Sequence, residues 1–315
     1  VGSEMCIRDR DSTYALYEYD LNNHKAYFIA DMEAEILRRG EVSSIIKQKT
    51  DYFIGFKSSG LIQLKYMPDS KVKYSLQSIN VQSGIFCLMK DRFQDIIWVG
   101  ADGQGLYMYF TDEFSIDNIM LDVPEYRVDN PVRALYQDQD QTLWIGTKGG
   151  GILKMFDFHP DMETLPRAER ILASNSPLMD NSVYSFAPSR RKLLWIGTES
   201  GLNYYSYSQK RIQEFPVMAD GKMVKYVHSV RETNDSTLWV VSAGEGIVKI
   251  ILDATSLLPK VKSARRFTLD GGKRNSNYFF VSFQENDSVI WFGNRGYGAY
   301  KMNTHTNQLT PCRID

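Results

Sequence analysis

Short alternations of apolar and polar residues recur along this chain, each followed by a polar turn and then a tight cluster of large apolar residues. The alternating runs lie at Ile85–Leu88, Val132–Leu135, Val183–Phe186, Val227–Val230 and Phe280–Phe283. A period of two over so few residues predicts strands rather than helices. Between each run and the next cluster stand turn formers such as Asp138-Gln139-Asp140-Gln141 or Asn234-Asp235-Ser236. Their short side chains hydrogen-bond the local backbone and so close turns. The clusters hold all five tryptophans, as Ile-Ile-Trp98-Val-Gly, Leu-Trp144-Ile-Gly-Thr, Leu-Trp195-Ile-Gly-Thr, Leu-Trp239-Val-Val-Ser and Ile-Trp291-Phe-Gly-Asn. A sixth copy, Tyr-Phe53-Ile-Gly-Phe, has phenylalanine in the indole's place.

Successive anchors stand 45, 46, 51, 44 and 52 residues apart, a repeat period of the kind that builds radial or stacked arrays. Glycine follows each anchor after a few residues, at Gly60, Gly105, Gly151, Gly201, Gly246 and Gly298, where a hairpin turn requires positive φ. A third alternating run comes next, such as Leu106–Tyr109 or Ala299–Met302, and a fourth closes most units, such as Lys73–Leu76 and Arg211–Phe215. Each period therefore spells one four-stranded antiparallel sheet. Such a small sheet cannot cover both its apolar faces alone, and radial repetition covers them by packing sheet on sheet.

The predicted fold is all-β, a β-propeller of four-stranded antiparallel blades with the anchor rings wedged between neighbours. Six blades are expected near 45–76, 85–121, 132–172, 183–215, 227–269 and 279–312. Tyr14–Asp20 and Lys25–Ala30 read as the third and fourth strands of a truncated first blade, 11–30, so seven blades are expected in all. Residues 1–10 fit no part of the pattern and read as a non-native or disordered leader; residues 11–315 form a single propeller domain.

Composition narrows the function. A net charge of −1, with no basic or acidic run, offers no footprint for nucleic acid or a membrane surface. No apolar run approaches the roughly 18 residues of a membrane-spanning helix. Three cysteines, Cys6, Cys87 and Cys312, make no disulfide framework or metal motif, and a Cys87–Cys312 bridge is not expected.

Leu143-Trp-Ile-Gly-Thr-Lys-Gly-Gly-Gly-Ile152 and Leu194-Trp-Ile-Gly-Thr-Glu-Ser-Gly-Leu202 resemble the two-component regulator propeller repeat. The resemblance covers nearly all of residues 11–315. It implies the extracytoplasmic, periplasmic half of a bacterial hybrid histidine-kinase sensor, binding products of polysaccharide breakdown. It further implies a parent receptor with kinase and DNA-binding modules, through which a homodimer would form.

Catalytic signatures are absent: there is no Gly-x-Ser-x-Gly elbow, no His-Glu-x-x-His and no phosphate-binding loop with its Lys-Ser/Thr. Gly100-Ala-Asp-Gly-Gln-Gly105 coincides with a hairpin turn, and the sequons at Asn234 and Asn286 are explained by turn chemistry. His24, His159, His228 and His305 are isolated; His228, in a first strand, faces either a central channel or a neighbouring blade. Asp138 and Asp140 lack the central Gly and terminal Glu of a calcium loop. Tyr204, Tyr205, Tyr207 and Tyr297 offer faces for sugar rings, although core packing explains any one of them better. The longer inserts near 156–180 and 252–275 are where a ligand rim would be elaborated.

The expectation is thus a non-catalytic sensor that binds a small molecule or oligosaccharide, with no cofactor, no metal and no assigned site residues. A propeller lyase or glycosidase and a protein-interaction scaffold are the alternatives.

Overall fold

The computed structural model describes residues 3–10, 13–20, 22–111, 115–118, 127–157 and 166–312. The six repeat units form six four-stranded antiparallel sheets, numbered here as blades 1 to 6. Their first strands are Val42–Gln48, Ile85–Lys90, Val132–Gln137, Val183–Pro188, Val227–Asn234 and Phe279–Asn286. Their second strands are Asp51–Phe56, Ile96–Ala101, Leu143–Thr147, Leu193–Thr198, Thr237–Ser242 and Val289–Asn294, so every anchor occupies the second strand of its blade. Third and fourth strands follow in sequence order, as in Leu202–Ser206 and Arg211–Phe215 of blade 4. These are the four-stranded blades of a propeller.

The chain divides into two compact units, Val1–Ile145 with Leu153–Glu169, and Gly146–Ile152 with Arg170–Asp315. Within the first unit, Phe53 shares a core with Ile85, Ile97 and Val99 of blade 2, and Trp98 with Val132, Leu143 and Leu153 of blade 3. Within the second, Trp195 packs among Val230, Val240 and Val248 of blade 5, and Trp239 among Phe279, Ile290 and Phe292 of blade 6. Trp98, Trp144, Trp195 and Trp239 are fully buried, whereas Trp291 is half-buried. Phe53, Trp98, Trp195 and Trp239 are wedges between sheets, as the repeat predicts.

The glycine two residues after the anchor has a packing reason of its own. A Cβ on Gly100 would lie 2.6 Å from Val132 Cγ1, and one on Gly197 would lie 2.5 Å from Val227 O. The next blade's first strand rests directly on this backbone, so no larger residue fits. Thr147 and Thr198, which follow it, donate their hydroxyls to Gly151 O at 2.9 Å and Gly201 O at 2.8 Å. The Trp-Ile-Gly-Thr string therefore encodes a wedge, a close approach and a turn cap.

Two expectations are corrected. Among the described residues there are six four-stranded blades, not seven: besides them stand a two-stranded ribbon, Met218–Ala219 with Lys222–Met223, and a three-stranded sheet, Ser3–Arg10, Thr13–Asp20 and Lys25–Asp31. Residues set aside as a leader supply the first of these, paired antiparallel from Ser3↔Asp20 to Arg10↔Thr13. Pairing of this kind uses backbone groups, so it needs no repeat motif in the added strand. The short helix Glu33–Arg39 that follows the sheet was also not anticipated; acidic residues fill its first turn and arginines its last, as the helix dipole favours. Blade 1 consequently begins at Val42 rather than Ile45.

Candidate functional site

The polar residues nearest the anchors serve the blades. Trp98 donates its indole N–H to Asp91 Oδ2 at 2.8 Å and Trp144 to Asp138 Oδ2 at 3.0 Å. The other oxygen of each carboxylate closes the preceding turn: Asp138 Oδ1 accepts from the backbone of Asp140 and Thr142, and Asp91 Oδ1 from Phe93 and Gln94. Asp138 is thereby committed to its own blade rather than to a cation. Asp140 is exposed, and no group of three or more His, Cys, Asp or Glu fit to hold a metal occurs among the described residues. Trp195 uses Glu232 of blade 5 at 2.8 Å and Trp291 uses Glu285 at 2.6 Å. Trp239 alone breaks the series: Thr233 stands where a carboxylate would be, and the buried Nε1 has no hydrogen-bond partner.

Tyr204 and Tyr205 are core residues, Tyr204 lying edge-on to Trp195 at 5.9 Å, and burial raises its phenol above the ordinary range. Tyr207 is half-buried against Tyr205 at 5.3 Å, and Tyr297 is exposed. His24 reaches the Tyr19 hydroxyl at 3.3 Å and His305 the Ser288 hydroxyl at 3.0 Å, both at the surface. His159 and part of the 156–180 insert lie outside the described residues. The 252–275 insert supplies the fourth strand of blade 5, Val261–Phe267. Cys87 and Cys312 are free thiols, and burial pushes Cys87 up to about 12.

A different row of residues comes together instead. Ladder register breaks between Val42/Ser44, Ile85/Cys87, Val183/Ser185, Val227/Ser229 and Phe279/Val281, always around the second residue of a first strand. Each break is a bulge that releases Ser43, Phe86, Tyr184, His228 or Phe280 from pairing; Arg133 holds the same place after Val132. Bulges commonly re-aim side chains beside functional sites.

In the first unit the Arg133 guanidinium lies over the Phe86 ring at 3.4 Å. In the second, Tyr184 stacks on His228 with centroids 4.3 Å apart and planes 10° apart, and His228 meets Phe280 edge-on at 4.9 Å. Phe280 stacks on Tyr278 at 6.2 Å, and Arg274 lies between Tyr278 at 5.9 Å and Tyr226 at 5.8 Å. The Tyr184 hydroxyl is fixed by Glu199 at 2.7 Å. These aromatic residues, all half-buried, form one continuous shelf across blades 4 to 6.

Its π faces suit the apolar face of a sugar ring or another flat group, while Glu199, His228 and Arg274 supply polar edges. His228 therefore faces both neighbouring blades. The other shelf residues escape the repeat analysis because they differ from blade to blade. For Tyr184 and Phe280 the available signal was positional: each follows the first apolar residue of its strand.

Residues 127–149 match the family model described as two component regulator propeller. That match includes one of the two Leu-Trp-Ile-Gly-Thr strings, at residues 143–147. It is 27% identical over 186 residues to histidine kinase P4 of Formosa agariphila, an alignment covering 58% of this chain and 13% of that protein. Among solved structures, PorZ, a surface component of the type-IX secretion system of Porphyromonas gingivalis, matches with a TM-score of 0.65 at 13% identity. That match spans 97% of this chain and 45% of PorZ, and it shows the fold. The extracellular domain of BT4673 from B. thetaiotaomicron, described as a one-component or hybrid two-component system, aligns at a TM-score of 0.42 and 17% identity, over 97% of this chain and 54% of that domain. No helix among the described residues is long and apolar enough to cross a membrane.

Proposed function

We propose that this chain is the extracytoplasmic, periplasmic sensing segment of a two-component regulator, and that it holds an oligosaccharide against the shelf of Tyr184, His228 and Phe280. The observation that carries the ligand reading is the bulge at one fixed place in the first strand, filled by a different large or polar side chain in nearly every blade. Release from the ladder frees these side chains to line a surface rather than to hold the blade. The repeat and the likeness to a histidine kinase support the receptor reading. Ligand affinity that differed between two receptor states would shift the equilibrium toward the tighter-binding one. The fragment itself performs no chemistry in this reading.

Isothermal titration against a panel of neutral and acidic oligosaccharides tests it. A binding glycan should lose at least about tenfold in affinity, roughly 1.4 kcal/mol, in His228→Ala and Phe280→Ala, with Tyr297→Ala unaffected. A panel with no binder, or a binder indifferent to both shelf substitutions, overturns the proposal.

A further inference from the structure

A second cluster lies on blade 5, beside the turn between the third and fourth strands of blade 6. There a cleft of about 220 Å³ is lined by Lys249, Ser263, Arg265, Phe267 and Asn307, among others. It shares no residue with the shelf. Lys249, on the third strand Gly246–Leu252, is half-buried and lies over the Trp239 ring at 5.1 Å. Its ammonium donates to Asn307 Oδ1 at 2.7 Å and Thr304 O at 3.1 Å. Across the ladder, Lys249 pairs with Arg265 of the fourth strand, whose guanidinium lies over Phe267 at 5.1 Å.

Charged residues on an edge strand often serve only to discourage pairing with another sheet. That explains exposed Lys262, but not Lys249, which belongs to an interior strand and is held inside the cleft. Two cations face one concavity, no carboxylate lines it, and neither cation is in an ion pair among the described residues. Burial first, and then the charge of Arg265, lowers the Lys249 pKa. An ammonium has three donors, and two are used. Its remaining N–H, the Arg265 fork, the Asn307 amide nitrogen and the Ser263 hydroxyl are a donor set suited to one oxyanion.

We propose that this cleft is an anion site that takes a single sulfate, phosphate or carboxylate group between Lys249 and Arg265.

Isothermal titration of the whole chain at fixed ionic strength, with sodium sulfate, sodium phosphate and sodium glucuronate, tests the proposal. At least one should bind saturably with a Kd on the order of 1 mM, the tightest identifying the oxyanion preferred. Arg265→Gln, an exposed position that should fold normally, should weaken it by about tenfold. Lys249→Met, which keeps an unbranched stem over Trp239, should do the same, and Lys262→Gln should leave it unchanged. Absence of saturable binding by all three anions, equal affinity in Arg265→Gln, or an equal loss in Lys262→Gln would overturn the assignment.

Discussion

The anchors of the second strands and the bulged residues of the first strands occupy adjacent strands of the same blades, yet they vary in opposite ways. Along the second strands the side chain is always a large aromatic, five times Trp and once Phe. At the second residue of the first strands it is Ser43, Phe86, Arg133, Tyr184, His228 or Phe280. The anchors fill a space of constant shape between sheets, so packing dictates one solution. Released from the ladder, Phe86 meets Arg133, and His228 meets Tyr184 and Phe280, so these residues pack within their own row, which lets each blade differ. In a repeat protein the recurring residue reports on the fold. The varied residue at a fixed place reports on what the fold is used for.

The sharpest way to break this contrast is to truncate one residue from each row. Trp195→Ala should cost about 3–5 kcal/mol in urea unfolding, because the indole is fully enclosed by blades 4 and 5. His228→Ala, at a half-buried position in the other row, should cost no more than about 1 kcal/mol. Equal losses would mean that the shelf is simply more core. Trp291→Ala should fall between them, since its ring is half-buried.

Next in size is the glycine on which the following blade rests. In Gly197→Ala the new methyl would meet Val227 O at 2.5 Å and Val227 Cγ1 at 2.7 Å, and since one of these is backbone it cannot swing aside. A cost of about 1–3 kcal/mol is expected, read as a lower urea midpoint at unchanged slope. The same change at Gly221, with nothing within 4 Å, introduces no such clash, although its φ of +78° leaves some strain.

The anchor row is itself uneven, and a smaller comparison exploits that. Trp98→Phe removes a 2.8 Å hydrogen bond and leaves a buried carboxylate short of a donor, whereas Trp239→Phe removes an N–H that had no partner. The first should therefore be more destabilising than the second by about 1–3 kcal/mol. Equal effects would show that packing alone accounts for the row.

How much of this was legible beforehand follows from the same contrast. The blades, the position of every anchor and the fourth strand Arg211–Phe215 could be read because they depend on patterns that recur within one chain. Ser3–Arg10 could not, because a strand recruited by backbone pairing leaves no mark in side-chain periodicity. The partners of the indoles were only partly readable: Asp138 is recognisable as a turn residue, but that its second oxygen reaches Trp144 depends on how the hairpin folds back. His228 was placed between two outcomes, channel or neighbour. Tyr184 and Phe280 carry no recurring residue type to mark them, and Arg274 lies in a turn outside the repeated strands.

The smallest expected effect concerns a joint that belongs to neither row. Asp95, in the turn between the first two strands of blade 2, bonds Gln48 and accepts from Lys49 Nζ of blade 1 at 2.6 Å. Lys49 first, opposed by burial and assisted by hydrogen bonds from Thr111 and Gln48, holds the Asp95 carboxyl below its ordinary 3.8. A depressed carboxylate contributes its full stabilisation above the unfolded-state pKa and loses it as pH falls through the folded one. The difference in unfolding free energy between the native chain and Asp95→Asn should thus be constant from pH 7 to about pH 5 and shrink below about pH 4. Because Lys49 is largely exposed, it should stay within about 1 kcal/mol and decline with added salt. A difference that instead grew toward acid would mean that Asp95 is strained in its turn, and that the Lys49 pair adds nothing to the joint between blades 1 and 2.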